Sequence, residues 1–318
     1  MMLTRRDWLR GAVASAVGAH RAMATVLAGR DVSFVIPYAS GGGFDAYVRA
    51  VIPALQKQLD LRVLPDNVDG AGGAKAANLL FRAKQDGATI SVVNIPGALI
   101  LQQQGGLGFD LSRLSWLCNM GRDAYGLMVP ADSPLRSIDD LRARGRIRPI
   151  KFTCIGPAGT AYSATRIGAQ LLDIPARVIA GYKGTNDYLV AAIRGDGDAA
   201  VASLTALSQF LASGLIRVLA TFETSGSLPG VLDATALGVP ELAGIVQLRP
   251  VAGPPGLPTP VAQALADGLV QALRDPAVIA WARRNNANLQ PDDAASTTQL
   301  LEQQARFIAR WKDYLAAS

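Results

Sequence analysis

Phe34-Val35-Ile36-Pro37-Tyr38-Ala39-Ser40-Gly41-Gly42-Gly43-Phe44-Asp45 joins an apolar trio to three consecutive glycines. The trio reads as a buried strand, the glycines as a tight loop, and residues 46–59 as a helix. Glycine lets the backbone approach a ligand closely and takes up positive φ at no steric cost. A helix N-terminus after such a loop offers unpaired N–H groups and a partial positive charge. The stretch therefore predicts an anion pocket at the end of a strand.

The pattern repeats on either side of that loop. Residues 62–64 read as a second strand ending at Pro65-Asp66-Asn67, and Gly70-Ala71-Gly72-Gly73 opens a helix over 74–83. Asp86-Gly87 marks a turn, and 89–93 form a third strand. Strands alternating with helices predict an α/β layer with a largely parallel sheet. Ligands of such sheets sit at the carboxyl ends of the strands. That groups the Gly41 loop, the Gly70 loop and residues 94–97 around one mouth.

The mixed, apolar stretch 114–129 reads as the first crossing into a second domain, where the rhythm restarts. A strand at 150–155 leads to the loop Gly156-Pro157-Ala158-Gly159-Thr160 and a helix over 161–172. A short strand at 177–180 ends at Gly181-Tyr182-Lys183-Gly184-Thr185, with a helix over 187–194. A strand at 199–202, a helix at 204–213 and a strand at 216–221 follow. The chain is expected to return near 246–252, and helices at 259–274, 276–285 and 294–317 to complete the first domain. Leu300, Leu301, Phe307, Ile308, Trp311 and Leu315 recur at helical spacing and read as core. Two glycine loops facing each other across a cleft make a clamp that closes by hinge motion.

Composition narrows the function. Thr4-Arg5-Arg6-Asp7-Trp8-Leu9-Arg10, the apolar residues 11–19 and Ala22-Met23-Ala24 describe an export signal over 1–24, hence a periplasmic protein, the alternative being an amphipathic first helix. The paired arginines resemble the twin-arginine type, with Trp8 where that pattern prefers Phe. Without Arg5, Arg6, Arg10, Arg21 and Asp7 the chain keeps 27 basic and 24 acidic side chains, a net +3. That balance argues against nucleic acid, and the basic cluster 142–148 reads as a solvated turn. Cys118 and Cys154 are the only cysteines, each in an apolar context that suits a buried thiol, although an oxidising compartment also permits a disulfide between them. The single histidine, His20, lies in the signal, which excludes Ser-His-Asp and Cys-His chemistry and imidazole metal sites from the rest. No metal, cofactor or catalytic residue is expected.

A set of motifs then falls in register. Residues 37–45 have the form P-x-x-x-G-G-x-x-D, Asn67 with 70–73 the form N-x-x-G-A-G-G, and Asp86-Gly87-Ala88-Thr89 the form D-G-x-T. Gly156 to Thr160, Tyr182-Lys183-Gly184, 214–220 and 254–258 follow in order. In these the chain resembles the Bug family, periplasmic substrate-binding receptors of tripartite tricarboxylate transporters, over essentially all of 25–318. The resemblance implies an α/β, two-lobed periplasmic binding protein (a Venus flytrap), each lobe a mainly parallel sheet flanked by helices. Residues 25–122 and 249–318 would form lobe 1, and 123–248 lobe 2. It implies a monomer that binds a small carboxylate and delivers it to membrane transporter subunits, or reports it to a sensor kinase.

By the same resemblance, Tyr38, Ser40, Gly42 and Gly43 face Gly159, Thr160, Tyr182, Gly184, Thr185 and Ser203 across the ligand. Asp45 either bonds the far end of the ligand or caps the first helix. Lys183 is either a cation of the site or a solvent-exposed hinge lysine. The chain departs from the family at Ser40, where Pro is common, and at Phe44, where a small hydroxyl residue is usual. Ala236 stands ahead of Gly238 where an acidic residue is expected, and 248–251 replaces a stretch richer in aromatics. Phe44 either stacks on an aromatic acid, toward which it and Tyr38 incline the reading, or packs in the core. The rival is a dinucleotide-dependent oxidoreductase, since Gly41-x-Gly43-x-x-Ala46 and Asp66 match that fingerprint. Four residues separate Ile36 from Gly41, however, and the fingerprint wants its glycine turn directly off the strand.

Overall fold

The computed structural model describes residues 27, 29–157 and 159–316. The expected export segment over 1–24 lies outside them. β1 (Asp31–Ile36) lies between β2 (Arg62–Asn67) and β3 (Thr89–Val92), all three parallel. Val32, Phe34, Val35 and Ile36 are fully buried, as a strand covered on both faces requires. α1 (Gly43–Leu59) starts three residues earlier than the sequence suggests. It buries Phe44, Tyr47, Val48, Val51, Leu55 and Leu59 against α8 (Thr259–Leu273) in the first core.

After β2, a 3-10 turn over Ala71–Gly73 leads into α2 (Ala74–Phe81). After β3 comes α3 (Gly97–Gln103), a helix the sequence reading missed. Its seven residues are flanked by Pro96 and the Gly105-Gly106 pair, too short a run to show helical periodicity.

β4 (Ser115–Pro130) joins the two halves. Its first part pairs antiparallel with β9 (Val246–Gly253) and β10 (Leu289–Asp292). From Tyr125 onward its partners are β7 (Ala200–Ser203) and β8 (Ile216–Thr221). At about 3.3 Å per residue the strand extends roughly 50 Å, enough to run from one core into the other.

The second core is built on β4, β5 (Ile150–Thr153) and β7, with β6 (Ala176–Ile179) parallel to β5. α4 (Ile138–Ile147), α5 (Thr160–Leu171), α6 (Thr185–Ile193) and α7 (Leu204–Ala212) complete this half. The eight-stranded sheet is mixed rather than mainly parallel, and the β5–β6 pair is parallel. One strand leaves the first half and another returns to it, and β4 and β9, travelling in opposite directions side by side, pair antiparallel.

Two further expectations change. The basic cluster 142–148 is not a turn but the end of α4. Ser137 caps that helix by accepting from the Asp140 N–H, acids occupy its first turn and Arg144 and Arg146 its last. Arg148 beyond it pairs with Asp198 at 2.8 Å.

The C-terminal region also packs across both halves instead of finishing the first. α9 (Pro276–Arg284) stays with the first, but α10 (Ala294–Arg310), about 25 Å long, reaches both. Leu301 sits with Leu99 and Val246, whereas Phe307 and Ile308 join Leu127, Phe152 and Phe222 in the second core. α11 (Lys312–Ala316) adds Leu315 to that core. Cys118 and Cys154 are free buried thiols.

Candidate functional site

The Gly41 loop is built by its own helix. Gly41 has φ +86 with open space around it, a conformation that disfavours a side chain for backbone reasons alone. Asp45, the third residue of α1, turns back as a capping-box acid does. Its Oδ2 accepts from the Gly41 N–H at 2.9 Å and the Ser40 hydroxyl at 3.2 Å. Its Oδ1 accepts from Arg49 Nε at 2.8 Å and Asn67 Nδ2 at 3.1 Å. Burial alone would raise its pKa; these bonds outweigh that and hold the carboxyl below its ordinary value. Asp45 thus braces the loop at the helix start.

Three helices begin where the sequence places the ligand, and all three have glycine at the cap. Gly42, Gly159 and Gly184 precede α1, α5 and α6, none with a side-chain cap. By contrast α4, α7, α9 and α10 are capped by Ser137, Ser203, Asp275 and Asp293, while α2, α3 and α8 also lack a side-chain cap, with Gly73, Pro96 and Pro258 at that position. A glycine cap leaves the first-turn N–H groups, Gly43 and Thr185 among them, to an incoming acceptor. Ser203 instead spends its hydroxyl oxygen on the Ala206 N–H at 3.4 Å.

A chain of hydrogen bonds spans the cleft. Asn94, after β3, donates through Nδ2 to the Tyr38 hydroxyl at 2.6 Å. Thr160, the first residue of α5, donates its hydroxyl to Asn94 Oδ1 at 2.9 Å. Tyr38 in turn donates to the Gly72 carbonyl at 3.3 Å. Burial pushes the Tyr38 phenol up to about 12, an effect tempered by the Asn94 hydrogen bond, so it remains a neutral hydroxyl. Of the expected residues, Tyr38 and Thr160 are brought together through Asn94. Tyr182 turns aside, its hydroxyl donating to Asp196 Oδ2 at 3.0 Å. Lys183 is exposed. Phe44 is 6% exposed and packs in the first core, 5.2 Å from the Tyr38 ring, so it offers no open face to an aromatic ligand.

Behind Asn94 lie buried groups that the sequence reading did not single out. Gln247 Nε2 lies 3.5 Å from Asn94 Oδ1, and its Oε1 accepts from Arg249 Nη2 at 3.2 Å. Arg249 pairs with Asp123 at 2.7 Å, both side chains almost wholly buried. Asp123 Oδ1 accepts from the Thr205 hydroxyl at 2.9 Å and the Tyr47 hydroxyl at 3.4 Å. Burial opposes the Arg249 charge, and Asp123 outweighs it. The available signal was an arginine and an aspartate in apolar strands, residue types that are rarely buried unless paired.

Among the described residues, no group of His, Cys, Asp or Glu is arranged to hold a metal, and no helix is long and apolar enough to cross a membrane. The arrangement is one of donors: backbone N–H groups, hydroxyls and amides, with a guanidinium buried behind Gln247.

Residues 47–316 match the family model described as the tripartite tricarboxylate transporter family receptor. The protein BugT of Bordetella pertussis is 26% identical over 262 residues, covering 79% of this chain and 78% of that protein. MatC (Rpa3494) from Rhodopseudomonas palustris, solved with bound malate, superposes with a TM-score of 0.79 at 20% identity, over 90% of this chain and 99% of its own. Rpa4515 of R. palustris, solved with adipate, gives a TM-score of 0.78 at 23% identity, over 91% and 96%.

Proposed function

Since the chain belongs to the tripartite tricarboxylate transporter receptor family, and is thus a periplasmic solute-binding receptor rather than an enzyme, we propose that it captures a small organic carboxylate between its lobes. It hands that acid to the membrane subunits of a tripartite transporter. The observation that carries the ligand class is the trio of glycine-capped helices, α1, α5 and α6, whose first-turn N–H groups are left for an anion. Tyr38, Asn94 and Thr160 supply neutral hydrogen-bonding groups beside them. The ligand-contact set is Tyr38, Gly42, Gly43, Gly159, Thr160, Gly184 and Thr185.

Malate and adipate, bound by the two structural neighbours, are aliphatic dicarboxylates. They head the list of candidates here, and the burial of Phe44 removes one of the two residues, with Tyr38, that inclined the reading to an aromatic acid. A thermal-shift screen of the purified protein tests this. A ligand that binds only the folded state, at 100 times its Kd, stabilises it by about 2.7 kcal/mol. We expect a shift with one class of carboxylate and none with nicotinamide or flavin dinucleotides. A shift with a dinucleotide alone would overturn the reading.

A further inference from the structure

Resting on the carboxylate reading above, we propose that Arg249 is the buried cation of the ligand site. It senses the charge of the ligand's carboxylate, and Asp123 holds it in place. The position comes first. β9 carries the guanidinium beneath the first turn of α1, and Nη2 lies 3.6 Å from where a side chain on Gly43 would begin. That adds a full charge under a helix N-terminus that already suits an anion.

The donors come second. Nη2 serves Asp123 and Gln247, while Nε and Nη1 are buried without a hydrogen-bond partner. Charged donors left unpaired in an interior are costly, so they mark where an acceptor arrives. A pair that merely clipped β4 to β9 needs no spare donors.

The surroundings come third. The rings of Phe44 and Tyr47 lie 5.1 and 4.1 Å from the guanidinium carbon. They hold the group by cation–π attraction and keep water from it, which strengthens its action on a nearby charge. The other charge beside the loop, Asp45, is committed to Gly41, Ser40, Arg49 and Asn67.

Calorimetric titration of the purified protein with L-malate, adipate and benzoate, each beside its uncharged amide, tests the assignment. Three forms are compared: unaltered, Asp123→Asn, and Asp123→Asn with Arg249→Gln. The unaltered chain is expected to bind an acid about a hundredfold better than its amide. Asp123→Asn lowers the melting temperature of the free protein yet tightens acid binding by about threefold or more, because the carboxylate that offsets the Arg249 charge is gone while Nε and Nη1 remain for the ligand. The double variant binds the acid about ten- to a hundredfold more weakly, and the gap between acid and amide narrows.

If the unaltered chain binds an acid and Asp123→Asn binds it equally or less well, the pair is a structural clip and the proposal falls. An unchanged double variant has the same meaning, and the single variant decides alone if the double one does not fold. Binding of none of the three acids to the unaltered chain would sink the receptor reading, and this proposal with it.

Discussion

At Asp45 four donors converge on one carboxylate, and three of them come from outside the regular turns of α1. Asp45→Asn keeps the shape and removes the charge, and should cost about 1–2 kcal/mol in urea unfolding at pH 7. Because the folded-state pKa lies below the unfolded one, the stabilisation is fully present above about pH 4. It is lost as pH falls through the folded value. The difference between the two proteins should therefore shrink on acidification; a constant difference would show that shape and not charge is at work. Sequence alone left Asp45 with two roles, because spacing places a residue near a loop without saying which way its oxygens turn.

Among the elements, β4 is the most constrained. A Cβ on Gly121 would sit 2.7 Å from the Asn288 carbonyl oxygen and 2.9 Å from the Tyr47 ring. Backbone does not yield as a flexible side chain does, so Gly121→Ala is expected to lose about 1–3 kcal/mol of stability. Gly184→Ala meets nothing within 4 Å and should cost only the roughly 1 kcal/mol by which alanine is a poorer helix cap than glycine. A normal melting temperature for Gly121→Ala would contradict the packing of β10 on β4. At α4, Ser137→Ala removes the bond to the Asp140 N–H and should cost about 1 kcal/mol by chemical denaturation. Most elements were legible from apolar runs and glycine punctuation. α4 was not, since a helix rich in Arg and Asp has only a thin apolar stripe, Ile138 and Leu141, to reveal it.

For the molecule as a whole, the cross-cleft bond from Thr160 to Asn94 ties the lobes together. We infer that the hinge lies where β4 changes partners, between Ala124 and Tyr125, beside the start of β9 at Val246. Thr160→Val keeps the shape and deletes the donor. Removing a buried donor leaves Asn94 Oδ1 with Gln247 alone, a loss of about 1–3 kcal/mol to the closed form. Small-angle scattering should then report a larger radius of gyration for the free protein than for the unaltered one. An unchanged radius would mean that packing, including α10 lying across both halves, holds the lobes without this bond.

What the sequence determined by itself was local: strands, glycine loops, the helices that follow them, and through their order the two-lobed class. Periodicity and backbone freedom are properties of neighbouring residues, so they survive in one dimension. Only the tertiary structure decided that Asp45 braces its own loop, that Asn94 links Tyr38 to Thr160, and that α10 packs on both halves. It also placed Arg249 against Asp123, 126 positions earlier in the chain. Such pairings depend on which strands lie side by side and which face each side chain takes, and that is settled by the packing of the whole chain.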